Sequence, residues 1–162
     1  MDDKLFLAWA AGFFDGEGCV MVEMSKSKGC LHGFRTVLHV TVTQTSLPCL
    51  QLHLEKFGGA IVTSENRTPN GRRWAVQHRW VVRNEDAIVF LKAIEPYTVV
   101  KKEQIAAALQ YPLRSPDGRK YGNKSNPIPE DVMQARVALR TMLQDIRAGM
   151  KTLAKPAKVE HA

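Results

Sequence analysis

A chain of 162 residues is long enough for one domain with its own core, and a hydrophobic content of 44% excludes both a disordered and a membrane-embedded chain. Three cysteines (Cys19, Cys30 and Cys49), an odd number without CxxC spacing, argue against a disulfide framework or a zinc site and fit a reducing, intracellular compartment. The formal net charge of +7, from 23 Lys and Arg against 16 Asp and Glu, suits a polyanionic partner without establishing one.

The apolar run from Leu5 to Phe14 leads directly into Asp15-Gly16-Glu17-Gly18. It is too short to span a bilayer, which needs about 20 such residues. Acidic residues also stand where a signal peptide would carry its basic start and its cleavage site. No membrane partner and no targeting signal are therefore expected. The spacing predicts a helix over about Lys4 to Phe14, capped by Asp2 or Asp3, with two carboxylates at its tip.

After Gly18 the period changes to two. Val20, Val22 and Met24 alternate with Cys19, Met21, Glu23 and Ser25, and a polar, glycine-containing hairpin loop with Lys26 and Lys28 follows. From Phe34 to Gln44, Phe34, Thr36, Leu38, Val40 and Val42 alternate with Arg35, Val37, His39, Thr41 and Thr43. Ser46 and Pro48 open a second helix, from Leu47 to about Phe57, which Gly58-Gly59 ends. A second hairpin surrounds the turn at 68–71. In its second strand Trp74, Val76, His78, Trp80 and Val82 share one face, assigned to the core for His78 and Trp80; Arg73, Gln77, Arg79 and Val81 share the other.

A third helix, from about Glu85 to Ile94, is closed by Pro96, and a fourth begins beyond Thr98. Residues 112–129, rich in Pro, Gly and Ser, read as a long mobile loop. A last amphipathic helix covers about Glu130 to Ala148 and a frayed tail 149–162, so that 1–148 form a single domain. The order α-β-β-α-β-β-α, with further C-terminal helices, predicts an α+β fold. Two hairpins join into a curved, four-stranded antiparallel sheet with helices on one face. The open face is polar and basic. Nine basic residues between Cys19 and Arg83 (Lys26, Lys28, Arg35, Lys56, Arg67, Arg72, Arg73, Arg79, Arg83) face only Glu23, Glu55 and Glu65. Such a face suits a nucleic-acid groove as well as it suits an ordinary hydrated sheet.

Ala8, Gly12 and Gly16 recur every four residues along the first helix, with Ala11 and Asp15 close to the same side. Side chains this small let a second helix approach almost backbone to backbone. The stretch has no second copy in the chain, so the partner helix is expected from another chain, in a two-fold homodimer. Asp15 and Glu17 of both chains then converge, and crowded carboxylates repel unless a cation sits among them. Hard oxygen ligands beside substrate phosphates suit Mg²⁺ and metal-assisted phosphodiester cleavage.

"AAGFFDGEG", Ala10 to Gly18, resembles the nine-residue LAGLIDADG motif of the homing endonucleases. Ala11, Gly12, Asp15 and Gly18 are identical to it. Phe13, Phe14, Gly16 and Glu17 are common substitutes, and Ala10 departs from the leading leucine. "VTVTQ" resembles the end of the family's second strand, and "IEPYTVVKKEQ" the segment bearing a basic active-site residue. The resemblance implies a saddle-like sheet and a homodimeric, Mg²⁺-dependent endonuclease that cuts a long, roughly palindromic double-stranded DNA site.

By position it implies that Glu17 is the essential metal-binding acid and that Gly16 offers its carbonyl to the same ion. Gln44 orders active-site waters, Lys101 neutralises the scissile phosphate, and Asp15 caps or joins the interface. The segment after Gln44 lacks the arginine some members carry, leaving that role vacant or to Lys102. The resemblance gives base readout to Glu23, Ser25, Arg35, Val37, His39, Thr41, Arg73, Gln77 and Arg79. Phosphate contacts fall to Lys26, Lys28, Arg67 and Arg72. Two alternatives stand beside the enzyme: a cleavage-deficient relative of the same fold, serving intron RNA splicing or DNA regulation, and a structural dimer with an incidental basic face. Intact Glu17, Gln44 and Lys101 favour the enzyme.

Overall fold

The computed structural model describes residues 2–64, 75–123 and 125–153. The first helix, α1, runs from Asp3 to Glu17, with Asp2 accepting from the Lys4 N–H at 3.2 Å as its cap. It extends a turn beyond the expected end at Phe14, so the acidic residues belong to its last turn rather than to a loop. Gly18 ends it, its N–H bonded to the Phe14 carbonyl. A Cβ on Gly18 would lie 2.1 Å from the Phe14 ring and 2.5 Å from the Phe14 carbonyl oxygen, so only glycine allows helix and strand to meet there.

The chain passes straight into β1 (Gly18–Lys26), turns, and returns as β2 (Phe34–Gln44). Helix α2 (Leu47–Phe57) follows, then β3 (Ala60–Ser64) and β4 (Gln77–Arg83). Gly58 and Gly59 both hold positive φ, 67° and 89°, and a Cβ on Gly59 would meet the Val81 carbonyl at 2.4 Å. The sheet is antiparallel throughout, in the order β1-β2-β4-β3. Val20 stands opposite Val40, and Val42 opposite Trp80. With Val22, Leu38 and Val82 these side chains are buried, so the inner face is the one the alternation assigned to the core.

β4 begins later than expected. Val76 precedes it and is exposed, while the turn at 68–71, Trp74, Arg67, Arg72 and Arg73 lie outside the described residues. His78 departs from the core assignment: it is half-buried and pairs with the Thr63 hydroxyl at 2.9 Å, whereas Trp80 is fully buried and donates to the Gly58 carbonyl at 2.8 Å.

Helix α3 (Asn84–Ile94) starts without a linker after β4. Asn84 takes φ 48°, a conformation that Asn tolerates better than most residues, and its side chain accepts from the Leu38 N–H at 3.2 Å. A 3₁₀ turn over Glu95–Tyr97 leads to α4 (Lys102–Ala108). Between inner sheet face and helices lies an aromatic core. His53 is buried there among Phe6, Trp9, Phe13, Trp80 and Phe90, its Nδ1 3.0 Å from the Cys49 carbonyl and its Nε2 without a partner among the described residues. Burial holds its pKa below the usual 6.5.

The segment read as a mobile loop is instead tied down. Arg114 and Lys120 both pair with Glu85, and Arg136 donates twice to the Pro112 carbonyl, at 2.6 and 3.0 Å. His32, from the β1–β2 hairpin, reaches the Ile128 carbonyl at 2.8 Å. The last helix, α5 (Glu130–Leu153), outruns its expected end at Ala148. It lies along β1, the outermost strand, where Arg147 donates to the Val20 carbonyl at 2.9 Å. Residues of both faces of β1, from Met21 to Met24, line a cleft with Arg140, Leu143, Gln144 and Arg147. That placement puts α5 beside the strand's edge. Among the described residues no helix is long and apolar enough to cross a membrane.

Candidate functional site

At the tip of α1 the two acids do different things. Asp15 accepts three backbone N–H groups, from Val99 at 2.8 Å, Val100 at 3.1 Å and Lys101 at 2.9 Å. Its carboxylate thereby fixes the segment entering α4, and the Lys101 ammonium returns to bond the Asp15 carbonyl oxygen. Glu17 is exposed and makes no hydrogen bond or ion pair among the described residues.

Lys101 is placed beside this end, its Nζ 5.8 Å from the Phe14 ring centroid. Burial draws its pKa below the ordinary lysine value, while the charges of Asp15, Cys19 and Glu17 act in the opposite direction. Gln44 ends β2 two residues beyond Val42, the partner of Gly18, so it shares this end of the sheet. Its Oε1 is turned back onto Thr45, 2.7 Å from the backbone N–H and 3.1 Å from the hydroxyl.

The donor set suits a hard cation. The last turn of α1 holds no basic residue, and carbonyl oxygens at a helix C-terminus carry partial negative charge. Glu17 adds a full one, and Gly16 is exposed beside it. Among the described residues, however, no group of three or more His, Cys, Asp or Glu could hold a metal. One chain thus offers a partial, all-oxygen site.

The small-residue stripe is bare on one side. Ala8, Gly12 and Gly16 are exposed, and a Cβ on Gly12 or Gly16 would meet nothing within 4 Å. Ala11 departs from the expected interface set: it is fully buried in the chain's own core, because it lies on the flank of α1 shared with Ala10 and Phe14.

The sheet's outer face carries Glu23 and Ser25 from β1, Arg35, Val37, His39 and Thr41 from β2, and Gln77 and Arg79 from β4. The strand pairings place these residues with the parity the sequence implies. Arg35 Nε donates to Ser25 Oγ at 3.0 Å. Lys26 and Lys28 are exposed at the strand end and in the hairpin loop. Met21, Thr43, Val62 and Arg83 also belong to this face, and with Glu23, His39, Thr41, Arg79 and Val81 they line a groove of about 500 Å³. The signal for Arg83 was present in the sequence, since it shares the parity of Gln77 and Arg79 once the strand is carried to its end.

A family model described as LAGLIDADG endonuclease matches residues 10–107. No curated protein matches the chain in sequence. Among solved structures, the homing endonuclease I-CvuI, crystallised with its target, is 20% identical over 99% of this chain and 88% of its own, with a TM-score of 0.65. The archaeal intron-encoded homing endonuclease I-Vdi141I, complexed with DNA, is 16% identical over 99% and 91%, also at 0.65. The homing endonuclease I-TnaI is 14% identical over 89% and 97%, at 0.60. These likenesses establish a shared fold.

Proposed function

The chain belongs to the LAGLIDADG endonuclease family, and from that premise we propose that it is a site-specific DNA endonuclease working as a homodimer on a long, pseudo-palindromic duplex. The observation that carries this reading is the division at the tip of α1. Asp15 is held by three backbone hydrogen bonds, whereas Glu17 stands exposed, without a hydrogen bond or ion pair among the described residues, beside an exposed stripe of Ala8, Gly12 and Gly16. Two such stripes in contact across a two-fold axis bring one Glu17 from each chain together.

Glu17 and the Gly16 carbonyl would hold a divalent cation, Mg²⁺ in this reading, which supplies charge neutralisation and an activated water for phosphodiester hydrolysis. Lys101, held against Asp15, presents its ammonium to the negatively charged scissile phosphate. Gln44, once its amide turns from Thr45 toward the site, orders water near the phosphate. The outer face of the sheet enters the major groove: Arg35, Gln77 and Arg79 read base edges, while Lys26 and Lys28 contact phosphates. Crystals of I-CvuI with a DNA target in the presence of Mg, in which the DNA is not cleaved, and of I-Vdi141I with DNA support duplex DNA as the partner; the first also has a divalent ion present with such a complex, without cleavage by it.

The test is cleavage of a randomised plasmid library with Mg²⁺ present. The wild type should linearise a sequence-defined subset. Glu17→Gln should lose several kcal/mol of transition-state stabilisation, roughly a thousandfold in rate or more, yet still bind the same duplexes. A Glu17→Gln protein that cuts near the wild-type rate removes Glu17 from the chemistry.

A further inference from the structure

On the outer sheet face one side-chain nitrogen has two claimants. His39, midway along β2, stands opposite Met21 of β1 and opposite Arg83 of β4. Arg83 Nε donates to His39 Nε2 at 3.0 Å, and Glu23 Oε2 lies 3.2 Å from the same Nε2. A neutral imidazole nitrogen is either an acceptor or an N–H donor. Accepting from Arg83 needs the lone pair on Nε2; donating to Glu23 needs a proton there. Once the ring is a cation both nitrogens carry hydrogen, so Nε2 can only donate, and the positive ring repels the guanidinium. Glu23 and Arg83 are therefore alternatives. Among the described residues, the charged groups facing His39 are Glu23 from β1 and Arg83 from β4, with Arg79 farther along β4; β3 contributes uncharged Val62 to the same groove.

We propose that His39 is a positioning residue that passes base readout between Arg83 and Glu23 according to its own protonation. Neutral His39 anchors Arg83 through Nε–H and leaves its two terminal amino groups for the O6 and N7 of a guanine. Protonated His39 takes Glu23 and releases Arg83. The proposal rests on the reading of this face as a duplex-DNA surface. Burial lowers the His39 pKa from 6.5, Glu23 opposes the shift and Arg83 adds to it. The anchored form therefore prevails at neutral pH, and the exchange lies on the acid side.

Bound duplexes are selected from a randomised library with the full chain at about pH 8 and about pH 5, the span over which histidine changes charge. At one symmetric pair of positions, wild-type guanine preference should fall about tenfold on acidification, the loss of one bidentate contact. His39→Gln, whose amide oxygen accepts from Arg83 at either pH, should keep the preference at both, and Arg83→Ala should lack it at both. On the wild type itself, the Arg83 Nε–H resonance should disappear as His39 titrates. A resonance indifferent to that titration, or base preferences identical at the two pH values, overturns the proposal while leaving sequence-specific binding intact. If no duplex is selected at either pH, the proposal falls together with the DNA reading.

Discussion

The two sides of α1 divide the work of this molecule. One side, with Phe6, Ala10, Ala11 and Phe14, is buried in the core and holds helix to sheet. The other, with Ala8, Gly12 and Gly16, is exposed, and among the described residues a Cβ on either glycine would meet nothing within 4 Å. The tip repeats the division in miniature, since Asp15 binds backbone and Glu17 does not. If the proposed function holds, packing and activity draw largely on different sides of one fifteen-residue helix, with Asp15 serving both, and substitutions can separate the two sides.

The largest loss of stability is expected on the packed side. Phe14 is fully buried, edge-on to Phe90, and supports Gly18. Phe14→Ala should cost about 3–5 kcal/mol in urea unfolding. A loss below 1 kcal/mol would mean that α1 is not anchored there.

Asp15→Ala removes the acceptor of three N–H groups and should cost about 1–3 kcal/mol, with cleavage falling as well because Lys101 loses its frame. Full activity with lowered stability would show that Lys101 is placed by other contacts.

His53 extends the comparison to pH. Its pKa is lowered in the folded chain, so the unfolded chain binds the proton more readily, and acidification below about pH 6.5 favours unfolding. Wild-type stability should fall over that range, and His53→Leu should flatten the fall. Parallel profiles would clear His53 of the effect.

On the bare side, Gly12→Leu should not destabilise the folded monomer and should raise its stability by about 0.5–1 kcal/mol, since the added atoms enter open space and leucine is the better helix former. It should nonetheless yield a smaller species on gel filtration and abolish double-strand cleavage, through a clash near the two-fold axis. A fully active dimer would place the interface elsewhere.

What the sequence made legible follows from short-range periodicity. Alternation of apolar residues in β1 and β2 settled which side chains face the core, and the strand pairings carry Arg35, His39 and Arg79 to the other face accordingly. Several of the misreadings concern partners distant in the chain. Asp15 reads as a capping or interface acid, but which groups it binds is not legible, because its three donors are 84 to 86 residues away. The segment at 112–129 reads as loose because Glu85 and His32, which hold it, belong to other elements. Ala11 reads as close to the side of the small-residue stripe, yet it stands about 100° round the helix from Gly12 and is turned into the core. The pairing of His39 with Arg83 spans two strands distant in sequence and has no local signature.

The seating of α5 along β1 has a consequence for how the protein behaves in a crowded solution. An outermost strand offers unpaired backbone groups that invite another chain to add itself, the first step toward aggregates. On the β1 border a long helix stands in that position, with Arg147 already occupying the Val20 carbonyl. The opposite border, β3, spans five of the described residues. A chain shortened before Glu130 would retain the residues Glu17 and Lys101 but would uncover the longer border and lose Leu139 and Leu143 from the core. Its failure would be one of precipitation before it was one of catalysis.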